Sequence, residues 1–132
     1  MKPRRKPGLR LSRTCHNGPS LEQRQRTKAA LARPEVVFNG KQAQAVGHGF
    51  ARFVARSGTR ILACAIMPLH THLVFDRPPY PAEQSVNLLK GAATTELTRR
   101  GLHPFADVPY KDGRFPTPWA RKQWICYLNR EA

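Results

Sequence analysis

The sequence predicts an α+β fold in which helices cover one face of a small antiparallel sheet. Two segments repeat their apolar residues at helical spacing, and three short β-favouring segments lie between and after them, in the order helix, strand, strand, helix, strand. At 132 residues the chain has the length of one compact domain, able to bury a core without disulfide or metal staples.

Each element has its own signal. From residue 39 the pattern is helical: Val46, Phe50 and Val54 recur every four residues with Phe53 beside them. Asn39 can cap the start and Gly58 ends the run. "TRILACAIMP", rich in Ile and Leu and stopped by Pro68, suits a buried strand, and "LHTHLVF" returns beside it. After the corner "DRPPYP", residues 82–100 place Val86, Leu89, Ala93 and Leu97 on one helical face, with Gly101 as the stop. A polar loop, "HPFADVPYKDGRFPTP", precedes "KQWICYLN", whose aromatic and β-favouring residues predict a last strand. In that strand Trp124 is a core residue and Tyr127 packs on the sheet with a wet hydroxyl, while Trp119, in the loop, is left open between packing and stacking on bases.

Charge narrows the function classes. Lys and Arg number 23 against 8 Asp and Glu, a formal net charge of +15, which draws the chain to polyanions through Coulomb attraction and counterion release. Nucleic acid is the leading partner. Residues 1–34 hold ten of the basic residues and one acid, Glu22, and read either as a solvated tail or as an arm tracking a phosphate backbone. The domain proper is then 35–132. Three widely spaced cysteines, Cys15, Cys64 and Cys126, form no CxxC pair and suggest a reducing compartment. No apolar run exceeds nine residues, which excludes a membrane span and points to a soluble, cytoplasmic protein.

The strand "LHTHLVF" carries the sharpest chemistry. Residues two apart on a strand face the same way, so His70 and His72 project side by side and Thr71 points to the other face. Two imidazoles so placed can share one ion, or can be a hydrogen-bonded or exposed pair with no metal. Two ligands do not complete a shell, so a third protein ligand or bound phosphates must join an oxygen-rich Mg²⁺ or Mn²⁺ site. His16, His48 and His103 fall at no zinc-like spacing and read as surface or loop residues. Lys90, Arg99 and Arg100 on the second helix, with Lys111, Arg114, Arg121 and Lys122 after it, are candidate phosphate contacts in a region poor in acids.

"RILACAIMPLHTHLVF", followed by "VNLLKGAATTEL" on a helix, resembles the single-tyrosine HUH transposases, in particular the REP-associated tyrosine transposase group. The resemblance covers residues 36–129, with Thr71 where the family has a bulky hydrophobic residue. It implies a ferredoxin-like sheet, a divalent cation, Mg²⁺ or Mn²⁺, held by His70 and His72, and a tyrosine on a helix near the C-terminus that attacks a phosphate of single-stranded, hairpin-forming DNA, leaving a 5′-phosphotyrosine link. Homodimerisation is implied with it. By the same resemblance Glu131 is a candidate third ligand and Tyr127 the candidate nucleophile. Neither an opening strand before the first helix nor the tyrosine-bearing helix after the last strand is evident, so the sequence also fits a truncated, non-catalytic nucleic-acid-binding relative, or a metal-dependent phosphodiesterase that uses water.

Overall fold

The computed structural model describes residues 20–22, 35–76 and 78–128. Residues 33–121 form one compact unit, treated first; 122–128 belong to a second unit and are described by themselves. The order in the first unit is α1 (Gly40–Ser57), β1 (Ile61–Ile66), β2 (Thr71–Phe75) and α2 (Ala82–Arg99). The chain is α+β, with two helices and an antiparallel pair of strands among the described residues.

The ends of α1 follow from its flanking residues. Asn39 and Gln42 form a capping box: the Gln42 N–H donates to Asn39 Oδ1 at 2.9 Å and the Asn39 N–H donates to Gln42 Oε1 at 3.0 Å, satisfying two amides that a helix start leaves orphaned. The Gln42 amide also donates to the Leu102 carbonyl at 2.9 Å, tying the start of α1 to the chain after α2. At the other end Gly58 takes the left-handed conformation, φ 72°, and its N–H returns to the Val54 carbonyl. α2 is capped by Arg100, whose N–H returns to the Glu96 carbonyl, and Gly101 after it takes the left-handed conformation, φ 67°.

The core is built between the helices. Ala45, Val46, Phe50 and Phe53 of α1 meet Leu89, Ala93 and Leu97 of α2, and Phe38 closes one end. The axes approach closely at Gly49, where an added Cβ would lie 2.6 Å from the Ala93 Cα and 2.7 Å from the Ala92 carbonyl oxygen. Only glycine fits there.

The sheet lies against this pair by one face. Cys64 is paired with Leu73, Ala65 with His72 and Ile66 with Thr71, and β2 alternates half-buried Thr71, Leu73 and Phe75 with exposed His72 and Val74. Ile61, Ile66 and Leu73 join the core. β1 is more exposed than its composition predicts: only its ends, Ile61 and Ile66, are covered, and Leu62 to Ala65 are exposed. The helices reach it at its ends alone, and a register shift between Ile61 and Ala63 disturbs the pairing at Leu62.

The expected last strand is absent. Residues 123–128 run without regular structure, Trp124 is 55% exposed and Tyr127 60% exposed, so neither is a core residue. The aromatic that does join the core is Trp119, whose ring meets Phe38 edge-on at 5.6 Å and whose indole N–H donates to Thr94 Oγ1 at 2.9 Å. Cys64 is a free, exposed thiol, whereas Cys126 is disulfide-bonded and departs from the reduced state inferred for the chain. No described helix is long and apolar enough to cross a membrane.

Gly49 and Gly91 test the helix pairing against each other. Alanine gains up to about 1 kcal/mol of helix propensity at either position. At Gly91, where a Cβ meets nothing within 4 Å, Gly91→Ala is expected to be stabilising. At Gly49 backbone must move, and an overpacking cost of about 1–3 kcal/mol exceeds the gain, so Gly49→Ala is expected to be destabilising. Urea denaturation midpoints shifting in opposite directions confirm this; a shared increase refutes the close approach.

Candidate metal and nucleic-acid site

The geometry of the histidine pair follows from strand alternation. Leu73 and Phe75 turn toward the helices, so His72, one residue off, turns away, and His70, two residues before it, lies just ahead of the strand. The rings are 4.8 Å apart between centroids and inclined by 78°, both exposed on the side of the sheet opposite the helices. The turn that brings β2 back holds them at its base, with the Met67 N–H donating to the His70 carbonyl at 2.8 Å and the Phe38 N–H to the Pro68 carbonyl at 2.8 Å.

Two imidazole nitrogens on one open face can supply two of the six positions of a divalent cation such as Mn²⁺, which takes oxygen ligands for the rest. No third His, Cys, Asp or Glu joins them among the described residues, and Glu131, the candidate third ligand, lies outside those residues. Two nitrogens alone leave most positions of any bound cation to other ligands. Thr71, between the histidines, points inward as expected, and its buried hydroxyl has no hydrogen-bond partner among the described residues. A hydrophobic side chain would fill that position without the orphaned group.

The candidate phosphate contacts divide by what holds them. Lys90 is half-buried, its ammonium donates to the Ala120 carbonyl at 3.0 Å, and burial lowers its pKa. It works as a strut first. Arg121 is exposed and, with Lys90, Asn87, Thr94 and Trp119, borders a shallow depression beside α2. Lys122 and Lys111 are exposed; Arg114, also exposed, is paired with Asp112 at 2.6 Å. Tyr127, the candidate nucleophile, sits on an irregular segment of the second unit.

Arg99 and Arg100 are organised by a residue that sequence reasoning missed. Glu96 is 2% exposed, and its Oε1 accepts from Arg99 Nη2 at 2.6 Å and from Arg100 Nε at 2.8 Å, while Arg52 Nε of α1 lies 3.4 Å from Oε2. Arg100 also meets the ring of His48. The hydrogen bond from Arg99 holds the Glu96 carboxyl below its ordinary pKa, desolvation opposes this, and Arg100 and the charge of Arg52 reinforce it. A legible signal existed: Glu96 precedes Arg99 and Arg100 by three and four residues and adjoins Leu97 on the apolar face.

His103 is the other surprise. Expected on the surface, it is 5% exposed, its Nδ1 accepts from the Phe105 N–H at 3.0 Å, and its ring lies 4.8 Å from that of Phe115. Its Nε2 has no partner among the described residues, and burial lowers its pKa, favouring the neutral ring.

No family model, curated protein or solved structure matches the chain.

Two of the depressed groups, His103 and Glu96, are buried in the first unit and contribute to the pH dependence of stability. A depressed folded pKa stabilises above the unfolded value and the benefit is lost as pH falls, so His103 withdraws its share below its ordinary value of 6.5 and Glu96 below 4.5. Urea midpoints followed from neutral to acid pH are expected to fall in both windows. Glu96→Gln is expected to be less stable at neutral pH and to show a smaller lower fall, Asp112, held down by Arg114, keeping its own share; an unchanged acid limb in that variant refutes the role of Glu96.

Proposed function

We propose that this chain is a transposase-like domain of the HUH kind that binds single-stranded DNA on the open face of its sheet, with His70 and His72 as protein ligands of a divalent cation. The observation that carries the reading is the pair of exposed imidazoles, 4.8 Å between ring centroids, on the sheet face turned away from the helices. A bound Mg²⁺ or Mn²⁺ would draw charge from a phosphate held there. The chain's own part is to present two nitrogens from a strand fixed by its inward residues, leaving the other coordination positions to the nucleic acid and water. The net charge of +15 adds a long-range attraction for the strand. A ferredoxin-like sheet, a cytoplasmic location, a hairpin-forming target and homodimerisation belong to the same reading.

Covalent chemistry is not part of it. A phosphotyrosine link requires a phenol oxygen in line with the phosphate at about 3 Å, and misplacement by about 1 Å costs on the order of a hundredfold in rate. Tyr127, exposed on an irregular segment, has no helix among the described residues to hold it in such a line.

Labelled oligothymidylate with Mn²⁺ tests the proposal. Its affinity is expected to fall steeply with salt, with a logarithmic slope of about −0.7 per phosphate neutralised, and to weaken in the His70→Ala, His72→Ala double variant. Denaturing electrophoresis is expected to show neither an adduct nor cleavage. Affinity that ignores both salt and the histidines overturns the proposal; a band lost in Tyr127→Phe establishes the transposase reaction instead, and cleavage without an adduct establishes a hydrolase.

A further inference from the structure

Beside α2 lies a depression of about 440 Å³ that the histidine pair does not border. Its two walls are fixed to each other: the Trp119 indole N–H donates to Thr94 Oγ1 at 2.9 Å, and the Lys90 ammonium donates to the Ala120 carbonyl at 3.0 Å. Trp119 is held further by Phe38, whose ring meets it edge-on at 5.6 Å. The depression is therefore formed before anything enters it. The indole supplies apolar surface, and Gly91, with nothing within 4 Å of where a Cβ would stand, leaves the α2 side bare. Arg121 and Asn87 border the same space, both exposed, and neither side chain has a hydrogen-bond or ionic partner among the described residues. No Asp or Glu lines it among those residues.

We infer that this depression binds a small planar aromatic carboxylate, with its ring against Trp119 and its carboxylate on Arg121. The ring follows from the indole, because a flat apolar wall is matched by a flat partner and aromatic pairs gain more than the area they bury. The negative charge follows from Arg121, a guanidinium without a counter-ion in a space without acids. A carboxylate suits the site better than a phosphate because a single fork is on offer, the Lys90 ammonium being directed at the Ala120 carbonyl. Two oxygens in one plane are what one guanidinium fork pairs with. The Asn87 amide can donate to the same group or meet a polar substituent on the ring. The volume lies toward the low end of small-molecule pockets, roughly 300–1,000 Å³, and suits a ligand of one or two fused rings.

Two-dimensional ¹H–¹⁵N NMR of the whole chain tests this, since the chain has two tryptophans and Trp124→Phe assigns the indole N–H signal of Trp119. Titration with 2-naphthoate is expected to shift that signal saturably. The uncharged isostere 2-naphthamide is expected to bind about tenfold more weakly, the share of one charge-assisted pair. Arg121→Ala is expected to weaken the naphthoate to the level of the naphthamide, while Lys41→Ala, which removes an equal charge from an exposed position on α1, changes neither. Gly91→Leu, at an exposed helical position with open space around it, fills the depression and is expected to abolish the shift with no loss in the urea midpoint. No saturable shift, naphthoate binding that survives Gly91→Leu, or an acid–amide difference untouched by Arg121→Ala overturns the site, and so does tighter binding of uridine 5′-monophosphate than of naphthoate. None of these outcomes touches the histidine-face reading, which stands or falls on oligothymidylate and Mn²⁺.

Discussion

The period-two alternation of β2 is the constraint on which the site depends. Leu73 and Phe75 turn toward the helices, and a slip of one residue would send both to the open face and bring His72 inward. Burying an imidazole in place of Leu73 sacrifices apolar burial and strands two polar nitrogens, so the register is set by the hydrophobic residues and the histidines inherit their exposure from it. The inward residues in turn need a platform. That platform is the α1/α2 pair, whose backbones come together at Gly49 and Ala93.

A second organising group is Glu96. A carboxylate that is 2% exposed is tolerable only when paired, and here two arginines of its own helix and one from α1 supply the partners. The same ion pairs link α1 to α2 beside the core, so one residue joins helix packing to the placement of surface charge. The two faces of the unit thereby differ in chemistry: imidazole nitrogens and small apolar residues on the sheet side, guanidiniums on the helical side.

Much of this was legible before any coordinates. Both helices lie within one residue of their expected limits because their signals are local: the Asn39 cap, the four-residue apolar spacing, and glycines able to take positive φ. The facing of His70 and His72 was legible for the same reason. What was hidden depends on distant partners. β1 looked buried because composition reports hydrophobicity without saying how far the helices reach. Residues 123–128 alternate as a strand does, yet no regular structure forms over them and Trp124 is exposed, while Trp119 packs against the core of the first unit. His103 read as a surface or loop residue and Glu96 was not singled out, and each is buried through contacts that no spacing rule encodes fully.

The central claim is that His70 and His72 act as one ligand pair. Proton NMR of the histidine rings during addition of substoichiometric Mn²⁺ addresses it directly, because paramagnetic broadening marks the nuclei nearest the ion. The account predicts that the signals of His70 and His72, assigned from the single alanine variants, broaden together while those of His48 and His103 stay sharp. Broadening of only one of the two, or equal broadening of His48 and His103 with them, would contradict it.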